Sequence, residues 1–469
     1  MLISDNTDTR LSYPAWVQDE FNQVVAFSRG LISPDGEPAG WVIDADVQQG
    51  WTRFHPATPD GANWAVLALL MADRINADPN AIANVRTILT RYAGLASDNI
   101  KPSKSSDGYI RHWIDPLTGN TKPGGWSAEF AVYSQMLIDV AADRAAAYFP
   151  NDTAIRKARN AIIGQVNNWD GYIENSPYNV DLISKANGGP DHSVQNGAFT
   201  EGILFVEQAA AYGGSHASDG FNYWINPSGK PTASYITGRP VITSGNGSFN
   251  AAFIDIYPQL VQRPYRQSAG WQQSVRNSLE SHSGWTDDNG PRYFTVFSAG
   301  TTESQWGGYN ADSLSNHPGN VTTFPALMGY CALGGSTTSP AVSAYEAYRH
   351  GARQTFLNGA SILYRRSDVD RPYQPDSAAL ADVVMGGLGL AELLQPGSID
   401  AVLSRTYTPL TCPTDFSLDN VTNTVDLGIL LSHFGQSVPA GTLGDANIDG
   451  HVDTLDLGLL LGAFGTTCP

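Results

Sequence analysis

Charge is scarce in this chain. Of its 469 residues only 15% are Asp, Glu, Lys or Arg, against about 25% in an average protein. The deficit falls mainly on the basic side, where 27 Lys and Arg face 45 Asp and Glu and leave a formal net charge of −18. Without a basic stripe the sequence lacks the electrostatic footprint of a nucleic-acid binder. No apolar run approaches the roughly 18–20 residues that a membrane-crossing helix needs, so no membrane span is expected. There is no Gly-x-Ser-x-Gly elbow, no His-Glu-x-x-His pair, no cysteine cluster, and no Walker or dinucleotide loop. Those absences argue against α/β-hydrolase esterases, zinc enzymes and nucleotide-binding enzymes. Cysteine is limited to Cys331, Cys412 and Cys468. Cys331 lies in the apolar run 327–333 and reads as a small buried hydrophobe.

Polarity comes instead from neutral residues, with 47 Gly and abundant Ser, Thr, Asn and Gln, accompanied by 11 Trp and 20 Tyr. At 42% hydrophobic and 10% aromatic the chain can bury a real core, which excludes global disorder. Neutral polar groups and aromatic faces together suit sugar rings. An acidic secreted surface with structural aromatics has the same composition.

The length fits one large domain plus a small one, read here as 1–405 and 412–469. Candidate helices recur through the large part, at 62–76, 81–93, 127–148, 152–168, 197–211, 251–262, 270–280, 322–331, 339–356 and 377–394. Strand patterning is sparse, with Tyr293–Phe297 the best candidate. This many amphipathic helices joined by aromatic loops predicts an all-α fold. An (α/α) toroid, a ring of helical hairpins, closes such a set around one cleft; a helical solenoid is the alternative, but solenoids show a repeat period.

The small part repeats itself. Residues 425–435 align with 455–465 at an offset of 30 without a gap. Each copy reads as a loop, a short apolar helix and a closing glycine. The second loop places oxygen ligands at Asp445, Asn447, Asp449, Asp453 and Asp456 with Gly450 at the sharp turn, the EF-hand spacing for Ca²⁺. The first offers Asp415, Ser417, Asp419, Asn423 and Asp426, with Asn420 in the glycine position. The duplicated loop and helix resemble a type I dockerin. That resemblance implies structural Ca²⁺, an extracellular or cell-surface setting, and a cohesin-type scaffold as partner. Cys412 and Cys468 fit a clasp between the ends of such a module. Met1–Arg10 is polar and shows no leader.

Three segments of the large part carry acids after aromatic, Gly- and Asn-rich loops. They hold Glu129, Glu201 and Asp255. Glu129 and Glu201 are read near helix starts, where an inner helix of a toroid would aim them into its cleft; dipole-stabilising acids occupy the same places. Glycoside hydrolysis needs an acid and a base or nucleophile, which makes these three the candidate catalytic residues. Tyr109, Arg111, His112, Trp113, Trp126, His192 and Trp306 are candidates for binding sugar. No cofactor is expected for the chemistry itself, and a monomer is the expected state.

The order of motifs carries a second resemblance. Gly108-Tyr109-Ile110-Arg111-His112-Trp113 precedes Thr118-Gly119, Trp126-Ser127-Ala128-Glu129 and Tyr148-Phe149-Pro150. Val166-Asn167-Asn168-Trp169-Asp170, Phe199-Thr200-Glu201-Gly202 and Phe253-Ile254-Asp255 follow. This succession, over roughly residues 50–390, resembles the glycoamylase-like family of glycoside hydrolases that includes bacterial endo-β-1,2-glucanases. It implies an (α/α)6 toroid and an inverting hydrolase of a β-linked glucan or related polysaccharide, with Glu201 as the general acid or another essential acid. Glu129 stands where that family has Asp. The family's Thr-Ala-x-Asp-Gly loop appears as 297–303 without its Asp, and its Ile-Glu-Asn segment has no match near 383–389, so specificity is expected to have drifted. A polysaccharide lyase using Tyr109, Arg111 and His112, and a non-catalytic carbohydrate-binding protein, are the alternatives.

Overall fold

The computed structural model describes residues 15–175, 178–193, 195–196, 202–212, 215–243, 247–301, 309–334, 338–351, 353–369, 373–403, 413–417, 419, 421–438, 442–447 and 450–467. The chain is helix-rich. Its large part holds α1 (Ala15–Gly30), α2 (Pro59–Arg74), α3 (Ala81–Tyr92), α4 (Val132–Tyr148), α5 (Thr153–Gly164), α6 (Gly202–Tyr212) and α7 (Ser215–Ile225). It continues with α8 (Ala252–Val261), α9 (Arg263–Gln267), α10 (Ala269–Asn289), α11 (Phe324–Gly329), α12 (Thr338–Tyr348), α13 (Leu380–Leu394) and α14 (Ser398–Leu403).

Burial sorts these helices into two layers. Inner α2 and α13 are apolar and enclosed on nearly every face. Outer α3 buries only a stripe, Ala81, Val85, Ile88, Leu89 and Tyr92, the spacing of an amphipathic helix. Among the described residues the inner helices α2, α4, α6, α8, α11 and α13 pair with outer α3, α5, α7, α10, α12 and α1, giving a toroid of six inner–outer pairs. Between α6 and α8 the link is a hydrogen bond, Gln262 Nε2 to the Leu204 carbonyl at 2.7 Å. The ring closes where α13 meets α2 and α1. A Cβ at Gly389 would lie 1.9 Å from the Met328 carbonyl oxygen, so the close approach of α13 to α11 requires glycine there. On the outside, Trp16 of α1 stacks on Tyr345 of α12 at 5.6 Å, and Glu20 takes hydrogen bonds from Tyr345 and Arg353.

One end of the ring gathers the starts of the inner helices. The Leu380 amide bonds the Asp44 carbonyl, and Thr58, the N-cap of α2, bonds Val42. Ala252 at the start of α8 bonds Phe297, and Thr323 before α11 bonds Val296. Helix N-termini carry partial positive charge, so this end favours acids. Asp60, Asp255 and Asp382 occupy first turns of α2, α8 and α13.

The structure shifts several expected elements. The helix expected from 127 starts only at Val132, because 130–131 pair with Ile183–Ser184. The helix expected through 356 stops at Tyr348, because Gln354–Thr355 pair with Ser361–Ile362. Tyr293–Phe297 is not a strand; Val296 instead bonds the Thr322 hydroxyl and the Thr323 amide. Helices α1 and α7 were not expected. The expected boundary at 405–411 lies outside the described residues.

The C-terminal part holds α15 (Thr424–Ser432) and α16 (Thr454–Gly462), each opened by a capping box, Asn423 with Asp426 and Asp453 with Asp456. Its buried apolar cluster is small, Leu430, Val452 and Leu460.

Candidate active site

An antiparallel bridge between Arg111 and Phe130 lays the 107–114 segment against the stretch that enters α4. The His112 amide donates to the Glu129 carbonyl at 3.1 Å. Their side chains meet beside this pairing, with His112 Nδ1 2.5 Å from Glu129 Oε1. The other ring nitrogen lies 3.3 Å from Asp60 Oδ2 and 3.3 Å from the Tyr133 hydroxyl. Asp60 is placed by its helix start: Thr58 Oγ1 accepts the Gly61 amide at 2.9 Å, and Pro59 opens the first turn. The histidine side chain is 4% exposed, whereas Asp60 and Glu129 retain 22% and 24%. The imidazole is walled in, Glu129 is partly open, and Asp60 keeps its Oδ1 buried.

Charge follows from that geometry. Burial opposes protonation of His112, but Asp60 and then Glu129 outweigh it and push its pKa up to about 9. In return the His112 hydrogen bond holds the Glu129 carboxyl below its usual range, against burial and with help from Ser127 and Trp113. Glu129 is therefore suited to accept a proton in neutral solution and poorly suited to donate one.

Aromatic rings lead away from this centre. Trp113 stacks on His112 with centroids 3.7 Å apart, and Trp126 follows at 4.8 Å. His55 lies 6.0 Å from Trp126 and Phe54 lies 4.2 Å from His55. Phe54 is exposed. A line of ring faces running from an acid cluster to solvent suits stacking on pyranose rings.

The other described residues predicted from sequence do not join the His112, Glu129 and Asp60 cluster. Arg111 lies 3.9 Å above the Phe130 ring and bonds Ser103 and the Ala128 carbonyl. Tyr109 is fully enclosed, its hydroxyl donating to the Asn168 carbonyl at 2.8 Å. His192 stands in a separate open cleft of about 510 Å³, with Glu174, Asp181 and His216. Glu201 and Trp306 lie outside the described residues; Glu201 immediately precedes α6 in the sequence. Sequence reading missed Asp60, His55, Phe54 and Tyr133. The Thr58-Pro59-Asp60 helix-start signature was the available sign for Asp60.

Asp255 is 4% exposed. It accepts the Ser278 hydroxyl at 2.6 Å, and Ser278 in turn meets the Tyr330 hydroxyl at 2.9 Å. Burial pushes its pKa from 3.8 up to about 7. A carboxyl raised in this way contributes stability that is full below its unfolded pKa and lost as pH rises through the folded one. Asp255→Asn stays neutral at every pH. The variant is expected to melt higher than wild type above pH 7, with the gain vanishing near pH 4, in thermal scans across that range. A constant difference at all pH values would mean Asp255 is not protonated in the fold.

No family profile matches the sequence, and no curated protein matches it. Solved structures do share the fold. A candidate glucoamylase from Bacteroides uniformis aligns with a TM-score of 0.66 at 15% identity, covering 82% of this chain and 94% of its own. The endo-β-1,2-glucanase of Chitinophaga pinensis, solved with sophorotriose and glucose, gives 0.63 at 15% identity, covering 83% and 97%. The endo-β-1,2-glucanase of Talaromyces funiculosus, solved with sophorose, gives 0.58 at 12%, covering 83% and 87%.

Proposed function

We propose that the chain is a glycoside hydrolase that cleaves a β-linked glucan or related polysaccharide by single displacement. The observation that carries this reading is Glu129, a carboxylate held ionised by a buried imidazolium at the acid-rich end of the ring, beside a line of indole faces. In the proposed mechanism Glu201 protonates the glycosidic oxygen and Glu129 draws the proton from a water on the opposite face. Two such carboxyls stand roughly 6.5–9.5 Å apart in inverting enzymes. His112 is a positioning residue: paired with Asp60 and Glu129, it fixes the charge state of the base. Likeness of fold to β-1,2-glucanases supports a β-glucan as substrate. The enclosure of Tyr109 works against a lyase that would use it as base.

The test is a polysaccharide panel followed for new reducing ends and for absorbance of an unsaturated uronide. It should include linear β-1,2-glucan, mixed β-glucans, α-glucans and uronic-acid polymers. Reducing ends without the absorbance are expected on a β-glucan. Reducing ends with it would replace hydrolysis by elimination, and silence in both channels would favour a binding role.

For the C-terminal part the reading is a dockerin-like module that holds Ca²⁺ and docks to a cohesin-type scaffold, in an extracellular or cell-surface setting. Two features support the cation. Carboxylate oxygens of Asp415, Asp419 and Asp426 lie within 4.8 Å of one another, and Asp415, Asp426, Asp445 and Asp456 are all at most 3% exposed. Buried acids crowded together are costly without a cation among them. Ser417, Asn423, Asn447 and Asp453 would complete the two ligand sets; Asp449, Cys412 and Cys468 lie outside the described residues. An exposed apolar row, including Val425, Leu431, Leu455 and Leu461, offers a surface to the scaffold. Chelation is expected to remove a separate transition for this module from the calorimetric trace, since a core of three residues cannot hold it alone. An unchanged trace would show that the loops fold without a cation.

A further inference from the structure

The cleft around His192 is built from three segments whose side chains lie outside the His112–Glu129 cluster, although the strand pair of Phe130–Ala131 with Ile183–Ser184 ties the two regions together. The Glu174 amide donates to the Asn179 carbonyl at 2.9 Å. Asp181 ends a short strand paired with Gln195–Asn196. His192 follows Asp191, whose amide bonds the Ile183 carbonyl at 2.9 Å. At the start of α7, His216 donates to the Glu174 carbonyl at 3.0 Å and the Ala217 amide to Asp170 at 2.8 Å, so the wall behind the trio is fixed.

We infer that Glu174, Asp181 and His192 form a binding site for a first-row divalent cation such as Zn²⁺ or Mn²⁺. One ligand atom from each lies within 4.8 Å of the other two. His192 Nδ1 stands 3.0 Å from Asp181 Oδ2 and 3.9 Å from Glu174 Oε1. Ligands at about 2.0–2.2 Å from a common ion are separated by about 3–4 Å across ordinary coordination angles. The set therefore needs little rearrangement to close on an ion. A second, independent observation points the same way. Asp181 is 1% exposed and lines the cleft, yet its Oδ1 is buried without a hydrogen-bond partner among the described residues. A buried carboxylate oxygen left unsatisfied is costly, and a cation in the cleft would satisfy it.

The donor set chooses the class of ion. One imidazole nitrogen with two carboxylates suits zinc or manganese, whereas calcium takes oxygen ligands and copper(I) takes sulfur. Three protein ligands leave coordination positions facing the open cleft, where water or vicinal hydroxyls of a polyol can enter. The site is distinct from the C-terminal calcium loops in both place and chemistry.

Cobalt(II) is a suitable probe, because its visible absorption reports nitrogen and oxygen ligation. The full chain, with its calcium loops saturated, is titrated with Co²⁺ and then with Zn²⁺ in competition. The expected result is one equivalent of cobalt with a visible band that zinc displaces. His192→Ala should weaken binding at least tenfold and abolish the band; the side chain is 64% exposed, so its removal does not threaten the fold. Asp181→Asn should do the same with an unchanged circular dichroism spectrum. Asp415→Ala combined with Asp445→Ala should leave the cobalt band intact. Absence of a band, or a band that survives His192→Ala, would overturn the inference and leave the trio as a carboxylate–imidazole hydrogen-bonded group.

Discussion

Glu201→Gln is expected to lower kcat on the responding glucan by about a thousandfold, the usual worth of a general acid and about 4 kcal/mol of barrier. Glu129→Gln is expected to lose a similar factor in kcat with KM changed less than about threefold, because a base acts in the transition state and not on ground-state binding. A rise in KM with kcat intact would make Glu129 a sugar-binding residue instead. The two variants separate in a second readout. His112 is raised from 6.5 to about 9 by Asp60 and Glu129. Its protonation therefore adds stability that is full below pH 6.5 and lost as pH rises through 9, on the order of 3 kcal/mol across the window. Glu129→Gln removes one of the two carboxylates and should flatten that slope, whereas Glu201→Gln should keep it. Urea midpoints measured from pH 6 to 10 decide the matter independently of turnover. A slope unchanged in Glu129→Gln would mean that His112 is not held protonated by this pair.

The largest expected loss of stability lies at Asp312→Ala. Asp312 and Arg365 are wholly buried, 3.0 Å apart, and Arg365 also donates to the Ser298 carbonyl. Burial outweighs the neighbouring guanidinium and still raises the Asp312 carboxyl to about 6. The pair is thus poorly compensated, and removing its acid strands a cation among Ser298, the Val321–Thr323 ladder and Gly300. The expected cost is about 3–5 kcal/mol in denaturant unfolding. The double variant Asp312→Ala, Arg365→Met should recover most of it, since an apolar pair of similar volume carries no desolvation penalty. A double variant as unstable as the single one would show that packing, and not the stranded charge, sets the loss.

Helices with a strong local signal were legible in the sequence. α3 shows its stripe at 81, 85, 88, 89 and 92, and α5 its cap at Asp152, which accepts the Ile155 amide. α7 gave little sign because Ser215-His216-Ala217-Ser218-Asp219-Gly220 is poor in helix formers, and packing against α6 overrides that preference. At the candidate site, His112 and Glu129 were both visible as residues, but their pairing was not. It depends on a bridge between segments 17 residues apart in the chain, and short bridges leave no periodic pattern. The apolar pattern of α2 begins at Ala62, two residues past Asp60, the charge that matters. Asp312 and Arg365 lie 53 positions apart, and nothing local marks either as buried.

The ring closes on its own two ends, α1 against α13. α1 offers Trp16, Phe21, Val24 and Phe27 to the interior. Its partner begins about 350 residues later. At about 5–20 residues per second of synthesis, that apolar face waits roughly 20–70 s for the surface that covers it. The nascent chain thus carries an unclosed seam until α13 emerges. Few contacts made early can shorten that wait, because the covering helix is among the last parts of the ring to emerge.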